Sequence, residues 1–209
     1  MQDLVILGTG IHSAEMATII ERVNREKPTW NLKGHIAPKS DDMPKEWFGH
    51  PVLGTVEALE KHPEAFVIAD NEFPRDVQVP LKRWVTLVDP TCFVHPAAQL
   101  GSGTVLYPGC FVGARAVTGF RCFSLANTVI NHDDVLGAHV VCASSVILAG
   151  CVTVGDHAYL GQGCMVRQFL KLGRNCLIGM GAVVTKDVEE DVVMAGNPAC
   201  KMKDRVKIP

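Results

Sequence analysis

One kind of side chain returns every sixth residue of this chain, without a slip, from Val94 to Val184. Counting in sixes gives Val94, Leu100, Leu106, Val112, Thr118, Ser124, Ile130, Leu136, Cys142, Leu148, Val154, Leu160, Val166, Leu172, Ile178 and Val184, and thirteen of these sixteen are Leu, Ile or Val. An α-helix repeats its faces about every 3.6 residues and a strand every second residue. A period of six fits neither and requires a repeat architecture. The residue four places after each ladder position is small or β-branched almost throughout, as at Thr104, Cys110, Ala116, Cys122, Thr128, Val140 and Ala158. Two positions per hexad therefore face a narrow interior. Glycine follows the ladder residue at Gly101, Gly113, Gly119, Gly137, Gly155, Gly161, Gly173 and Gly179, as expected where a short strand ends and the backbone turns with little room. Each hexad is then one short strand and a corner, and three hexads make a triangular coil of 18 residues. An evenly spaced antiparallel sandwich would not keep this period across so many successive intervals.

The array occupies the second half of 209 residues, which leaves a smaller first domain. The boundary falls in Asp89-Pro90-Thr91-Cys92-Phe93-Val94-His95-Pro96, whose prolines exclude helix. The expected domains are residues 1–88 and 89–209, the second ending in a C-terminal cap because a solenoid needs closed ends. Net charge is −2, with 20 basic and 22 acidic residues in mixed order. No basic stripe marks a nucleic-acid or anionic-membrane partner. No apolar run approaches the ~18 residues of a spanning helix, and Met1-Gln2-Asp3 lacks the basic opening of a signal peptide. A cytoplasmic location is expected. Of eight cysteines, Cys110, Cys122, Cys164 and Cys176 take the small interior position, and none forms C-x-x-C. Core packing explains them better than zinc or disulfides, so no metal is expected.

In the first domain, Leu4-Val5-Ile6-Leu7 reads as a buried strand that runs into Gly8-Thr9-Gly10-Ile11-His12-Ser13 and a helix from Ala14 to about Asn24. Gly8 and Gly10 let the backbone approach a ligand, and free N–H groups at a helix start suit an anion. Ser13 stands where the dinucleotide fingerprint has its third glycine, and the second strand, 31–36, ends in Ala37-Pro38 without the acidic residue that holds a nicotinamide ribose. NAD is disfavoured. A helix at 56–61, a third strand at 65–70 and a strand at 84–88 complete a small Rossmann-like α/β domain. Residues 39–51 read as a surface loop, and His35, His50 and His62 as surface residues.

The hexads resemble the left-handed parallel β-helix of the hexapeptide acyltransferases. Together with G-T-G-I-H at 8–12, V-D-P-T-C-F-V-H-P at 88–96, Asn131-His132-Asp133 and A-G-N-P-A-C-K at 195–201, the chain is similar to the sialic acid and amino-sugar acetyltransferases of that superfamily. The resemblance implies a homotrimer, with a nucleotide-linked sugar on the first domain and acetyl-CoA in a groove between neighbouring helices. It implies N-acetylation of an amino-sugar nucleotide, with O-acetylation of a sialic-acid-like sugar or a non-catalytic sugar-nucleotide scaffold as alternatives. Gly8, Gly10, His12, Ser13 and Asn127 are the expected substrate contacts. Gly150, Gly161, Gly163, Gly179, Gly181, Lys186 and Lys201 are the expected cofactor contacts. The chain departs from the family at Val141, where a second histidine is usual, and at Ala37-Pro38, where members that bind uridine nucleotides carry paired aspartates; Asp41-Asp42 follow nearby.

Acetyl transfer from a thioester needs a base for the departing proton and a donor for the developing oxyanion. His132 lies two residues past the interior Ile130, next to a corner, so it is expected to be exposed. Asp133 is placed to fix its tautomer. Gly150 stands one coil on, stacked over the base, with its N–H open to a carbonyl. Asp134 falls on an interior position, where a carboxylate either supports His132 from inside or forces a bulge.

Overall fold

The computed structural model describes residues 1–40 and 43–207. The chain divides into two compact units, Met1–Pro90 and Thr91–Pro209.

In the first unit, five strands form one sheet: β1 (Gln2–Leu7), β2 (Trp30–Ile36), β3 (Glu46–Trp47), β4 (His50–Gly54) and β5 (Phe66–Ala69), in the order β3-β4-β2-β1-β5. β1 runs parallel to both β2 and β5, and β2 parallel to β4. Leu4, Val5, Ile6 and Leu7 are fully buried, as a central parallel strand with both faces covered must be. Helix α1 (Ile11–Glu26) buries Met16, Ala17, Ile19 and Ile20 along one stripe.

Four expectations for this unit need correction. Residues 56–61 form a 3-10 helix instead of an α-helix, because Gly54 and Pro63 leave too short a segment to nucleate one. Residues 84–88 are not one strand: Trp84 makes a single bridge to Val67, and the strand itself is Leu87–Val88. The 39–51 segment contains the antiparallel β3–β4 hairpin. Phe48 and Gly49 have φ of 45° and 82°, the two left-handed residues of a tight hairpin turn, which Phe-Gly does not advertise as Asn-Gly would. His35 is wholly buried, not a surface residue. Burial lowers its pKa, and its Nδ1 meets the Gly8 carbonyl oxygen at 3.0 Å.

The second unit is a left-handed parallel β-helix. Its first face stacks strands at 93–94, 111–112, 129–130, 147–148, 165–166 and 183–184. The second stacks 99–100, 117–118, 135–136, 153–154 and 171–172, and the third includes 105–106, 123–124, 141–142, 159–160 and 177–178. Every ladder residue named from the sequence closes one two-residue strand. Pairs such as Phe111↔Val129 and Val117↔Val135 lie one 18-residue coil apart. From Leu106 to Val184 the ladder is buried throughout. The hairpin of Val192–Ala195 with Cys200–Asp204 closes the last coil, and Arg205 donates to the carbonyls of Asn175 and Cys176.

The role of the ladder glycines differs from the expectation. The left-handed backbone sits three residues after the ladder position, at Arg115, Arg121, Asn127, Asp133, His139, Ser145, Cys151 and His157, while the glycines directly after the ladder are not left-handed. They are needed for close approach between coils. A Cβ at Gly113 would lie 2.6 Å from the His132 nitrogen, and one at Gly119 2.6 Å from the Gly137 carbonyl carbon.

Candidate active site

His132, Asp133 and Gly150 meet at the edge between the first and second faces. The left-handed φ of 60° at Asp133 turns two consecutive side chains outward at one corner. His132 Nδ1 meets Asp133 Oδ2 at 2.8 Å. Arg115, one coil below Asp133, donates from Nε to Oδ1 at 2.6 Å and from Nη2 to Oδ2 at 2.8 Å. The guanidinium first, and His132 second, hold the Asp133 carboxyl down to about 2. It is therefore a carboxylate near neutral pH and only accepts hydrogen bonds. In the neutral ring, Nδ1 consequently carries the proton and the lone pair falls on Nε2. Nε2 faces Gly150, where an added Cβ would lie only 3.0 Å away. Gly150 has φ of 104° and Cys151 follows at 54°. The Gly150 N–H donates in none of the hydrogen bonds among the described residues.

Asp134 answers the interior question left by the sequence. Its strand pairs in register with both neighbours, Val117↔Val135 and Val135↔Thr153, so there is no bulge. The carboxylate is fully buried. It accepts from the Asn131 N–H at 2.6 Å through Oδ2 and from the Val152 N–H at 2.8 Å through Oδ1. Neither donor takes its usual place in the coil's hydrogen-bond pattern: Gly113 and Gly137 donate to the next coil's Ile130 and Val154, while Asn131 does not. On the first face only Val129↔Ile147 pairs at this level, where neighbouring levels pair twice. Asp134 thus opens the ladder locally and ties the residue before His132 to the one after Cys151. Burial raises its pKa to about 6, the two N–H groups opposing that shift.

The remaining expected residues are not gathered at this corner within one chain. Asn127, Gly163 and Gly181 fall on the edge between the third and first faces, and Gly161 and Gly179 lead into the same edge. Lys201 is held by Asp204 at 2.8 Å and Glu189 at 3.6 Å, while Lys186 is exposed. In the first unit, Ser13 is fully buried and donates to the Gly10 carbonyl at 2.7 Å, so it closes the turn and offers no hydroxyl to a ligand. His12 pairs with Glu15 at 3.0 Å. A Cβ on Gly8 would collide with the Asp70 carboxylate, and one on Gly10 would lie 3.3 Å from it. The glycines make room for Asp70, whose buried carboxyl is raised by desolvation, and a phosphate at this turn would face it. Asp41-Asp42 lie outside the described residues.

A cavity of about 930 Å³ opens instead beyond the C-terminal ends of β2 and β5, lined in part by Pro38, Lys39, Ser40, Phe73, Lys82 and Arg83. Ligands in open parallel sheets bind beyond these strand ends. On the helix, a second cavity of about 360 Å³ is lined by Ala149, Arg167, Gln168 and Phe169, on the same edge as Gly150. Arg115 and Arg167 were not singled out from the sequence. Each is legible there: Arg115 is one coil before Asp133, and Gln168, beside Arg167, is two coils beyond His132.

Residues 151–186 match the family model described as hexapeptide repeat of succinyl-transferase. An acyl-[acyl-carrier-protein]–UDP-N-acetylglucosamine O-acyltransferase of Agrobacterium fabrum is 41% identical over 86 residues, covering 41% of this chain and 32% of that protein. The equivalent protein of Sinorhizobium fredii is 33% identical over 112 residues, 54% of this chain and 40% of that one. The chain thus spans well under half the length of these curated relatives. Among solved structures, a mutant GDP-perosamine N-acetyl transferase of Caulobacter crescentus, in complex with CoA and GDP-perosamine, superposes with a TM-score of 0.85 at 24% identity, covering 98% of both chains. The acetyltransferase domain of PglB from Neisseria gonorrhoeae, in complex with acetyl coenzyme A, gives 0.81 at 23% identity over 96% of this chain and 99% of that one. These likenesses establish the fold. No helix among the described residues is long and apolar enough to cross a membrane.

Proposed function

We propose that this chain, whose coils are those of the hexapeptide-repeat acyltransferases, moves the acetyl group of acetyl-CoA onto an amino group of a nucleotide-linked sugar, with His132 as general base. The observation that carries the reading is the corner itself. A tautomer fixed by an ionised carboxylate leaves Nε2 free to take the proton of an attacking amine. Gly150, lacking a side chain, leaves both space and an N–H beside Nε2 for the carbonyl oxygen of the thioester. The imidazolium then returns the proton to the departing thiolate, so the residues end as they began and no metal takes part. Of the solved structures named above, one holds CoA with GDP-perosamine and the other acetyl coenzyme A, which supports this donor and class of acceptor. The first unit, read as a reduced Rossmann-like domain, offers its 930 Å³ cavity with Lys39, Lys82 and Arg83 for the nucleotide. Arg167 and Phe169 offer a cation and an aromatic face on the edge that carries Gly150.

The same geometry supports a homotrimer. Gly150 and the glycines at 161, 163, 179 and 181 lie on different edges, so a cofactor that touches both sets lies between two copies. The outward first face supplies apolar contact surface: Phe93, Phe111, Ile147 and Met165 are 51%, 37%, 37% and 49% exposed, and the two phenyl rings stack at 5.0 Å. Light scattering at micromolar concentration should give three chains per particle; a monomer would contradict it.

The curated relatives are named O-acyltransferases with an acyl-carrier-protein donor, which supports a hydroxyl acceptor as the second reading. Initial rates with acetyl-CoA or acyl-carrier protein as donor, against sugar nucleotides bearing a free amine or only hydroxyls, separate the two. The amine with acetyl-CoA is expected to be fastest by a wide margin, and faster transfer to hydroxyls would overturn it. Gly150→Ala provides a local check. An alanine at φ of 104° is strained by about 1–2 kcal/mol, and its methyl would occupy the thioester's place beside Nε2. We expect kcat to fall at least about tenfold with little change in acceptor affinity.

A further inference from the structure

Cys151 stands one coil beyond Asp133, in the same left-handed corner position. Its thiol, a ring nitrogen of His132 and a carboxylate oxygen of Asp133 all lie within 4.8 Å of one another, the one such group of three among the described residues. Five other thiols, Cys110, Cys122, Cys142, Cys164 and Cys176, are sealed in the coil interior, whereas Cys151 is partly exposed. We propose that His132, Asp133 and Cys151 form a site for a thiophilic divalent cation of the zinc class, and that its occupation switches the corner off.

The donor set decides the class of ion. Thiolate and imidazole suit zinc or cadmium, while magnesium and calcium prefer an all-oxygen shell. Gly150 sets no side chain against the imidazole, and a fourth ligand such as water would complete the shell. Binding forms a metal–sulfur bond and releases the thiol proton to solvent, with no change of oxidation state. Asp133 already receives Arg115 through both oxygens and His132 through Oδ2, so the cation takes one of these places. Removing the guanidinium therefore tightens binding. Loss of base follows whichever ring nitrogen is used. A cation on Nε2 occupies the lone pair, and a cation on Nδ1 forces the ring proton onto Nε2. The binding half stands on geometry alone, and the inhibitory half rests on the transfer reaction proposed above.

The test is a cadmium titration of the full chain, following the thiolate-to-metal charge-transfer absorbance, with zinc as competitor. Wild type and Cys200→Ser, which removes the exposed thiol, should each bind one equivalent displaceable by zinc. Cys151→Ser and His132→Ala should each weaken binding at least about tenfold, and Arg115→Gln should strengthen it. In an acetylated-product assay, zinc should inhibit wild type and spare Cys151→Ser. Cadmium bound equally well by Cys151→Ser and wild type, or absence of any saturable absorbance in wild type, would overturn the site. Retained binding without zinc inhibition would overturn the switch and leave the site. Failure of every acceptor would tell against the transferase reading while the titration still decides the metal.

Discussion

His132→Ala should lower kcat by about 10²–10⁴-fold, the usual worth of a general base, while leaving the fold and the binding of acetyl-CoA intact. The side chain is 55% exposed and fills no interior position. Its removal should change stability by no more than roughly 1 kcal/mol, as exposed substitutions generally do. Asp133→Asn should cost less activity. An amide can still orient the ring, but it also offers an N–H toward Nδ1 and loses the Arg115 pair, so the productive tautomer becomes one of two. Rates measured at saturating acetyl-CoA, together with thermal melts of each variant, separate loss of chemistry from loss of structure. A His132→Ala enzyme with full kcat near neutral pH would move the base elsewhere.

Asp134→Ala should do the reverse and act first on stability. It would leave the Asn131 and Val152 N–H groups buried without acceptors, at about 1–3 kcal/mol each. Loss of several kcal/mol is expected, a large share of a typical domain's margin. Asn supplies one acceptor and sets an NH₂ group against the second donor, so Asp134→Asn should fall between. The pH dependence has a definite sign. The folded pKa, about 6, lies above the unfolded value near 3.9. The contribution of this carboxyl is therefore fully present below about pH 4 and is lost as pH rises through 6. At about 1.4 kcal/mol per pKa unit, the swing is on the order of 3 kcal/mol. Denaturation of wild type and Asp134→Asn at pH 4 and pH 7 isolates it from the other carboxylates. A wild-type stability that does not decline with pH relative to the variant would show that Asp134 is ionised without penalty.

The helix was legible because its constraint is periodic: a ladder residue every sixth position leaves one way to stack. The same arithmetic, carried one coil either way from Asp133, reaches Arg115 and Cys151. Neither stands out in the sequence by itself, because charge on a turn and a lone thiol carry no signal until their neighbours are known. Gly8 and Gly10 have a structural role that a local motif does not show. Their spacing resembles a phosphate cradle, but the atom they accommodate is the carboxylate of Asp70, about sixty residues away in sequence and invisible to a local motif. Ser13 likewise spends its hydroxyl on its own turn. The 930 Å³ cavity is assembled from three separated segments with no shared pattern, so no reading of short stretches could have found it. Asp134 was conspicuous as a charge in an apolar ladder, and only the two N–H groups it meets explain it.

Mass analysis of both protein and product after mixing the chain with acetyl-CoA, then with an amine-bearing sugar nucleotide, tests direct transfer at this corner most plainly. With the donor alone, the protein should stay unmodified. On adding the acceptor, the sugar nucleotide should gain one acetyl group for each CoA released, and His132→Ala should slow that gain without altering the product. Acetylated protein before the acceptor is added, or no acetylated sugar nucleotide from any amine-bearing acceptor, would contradict the account.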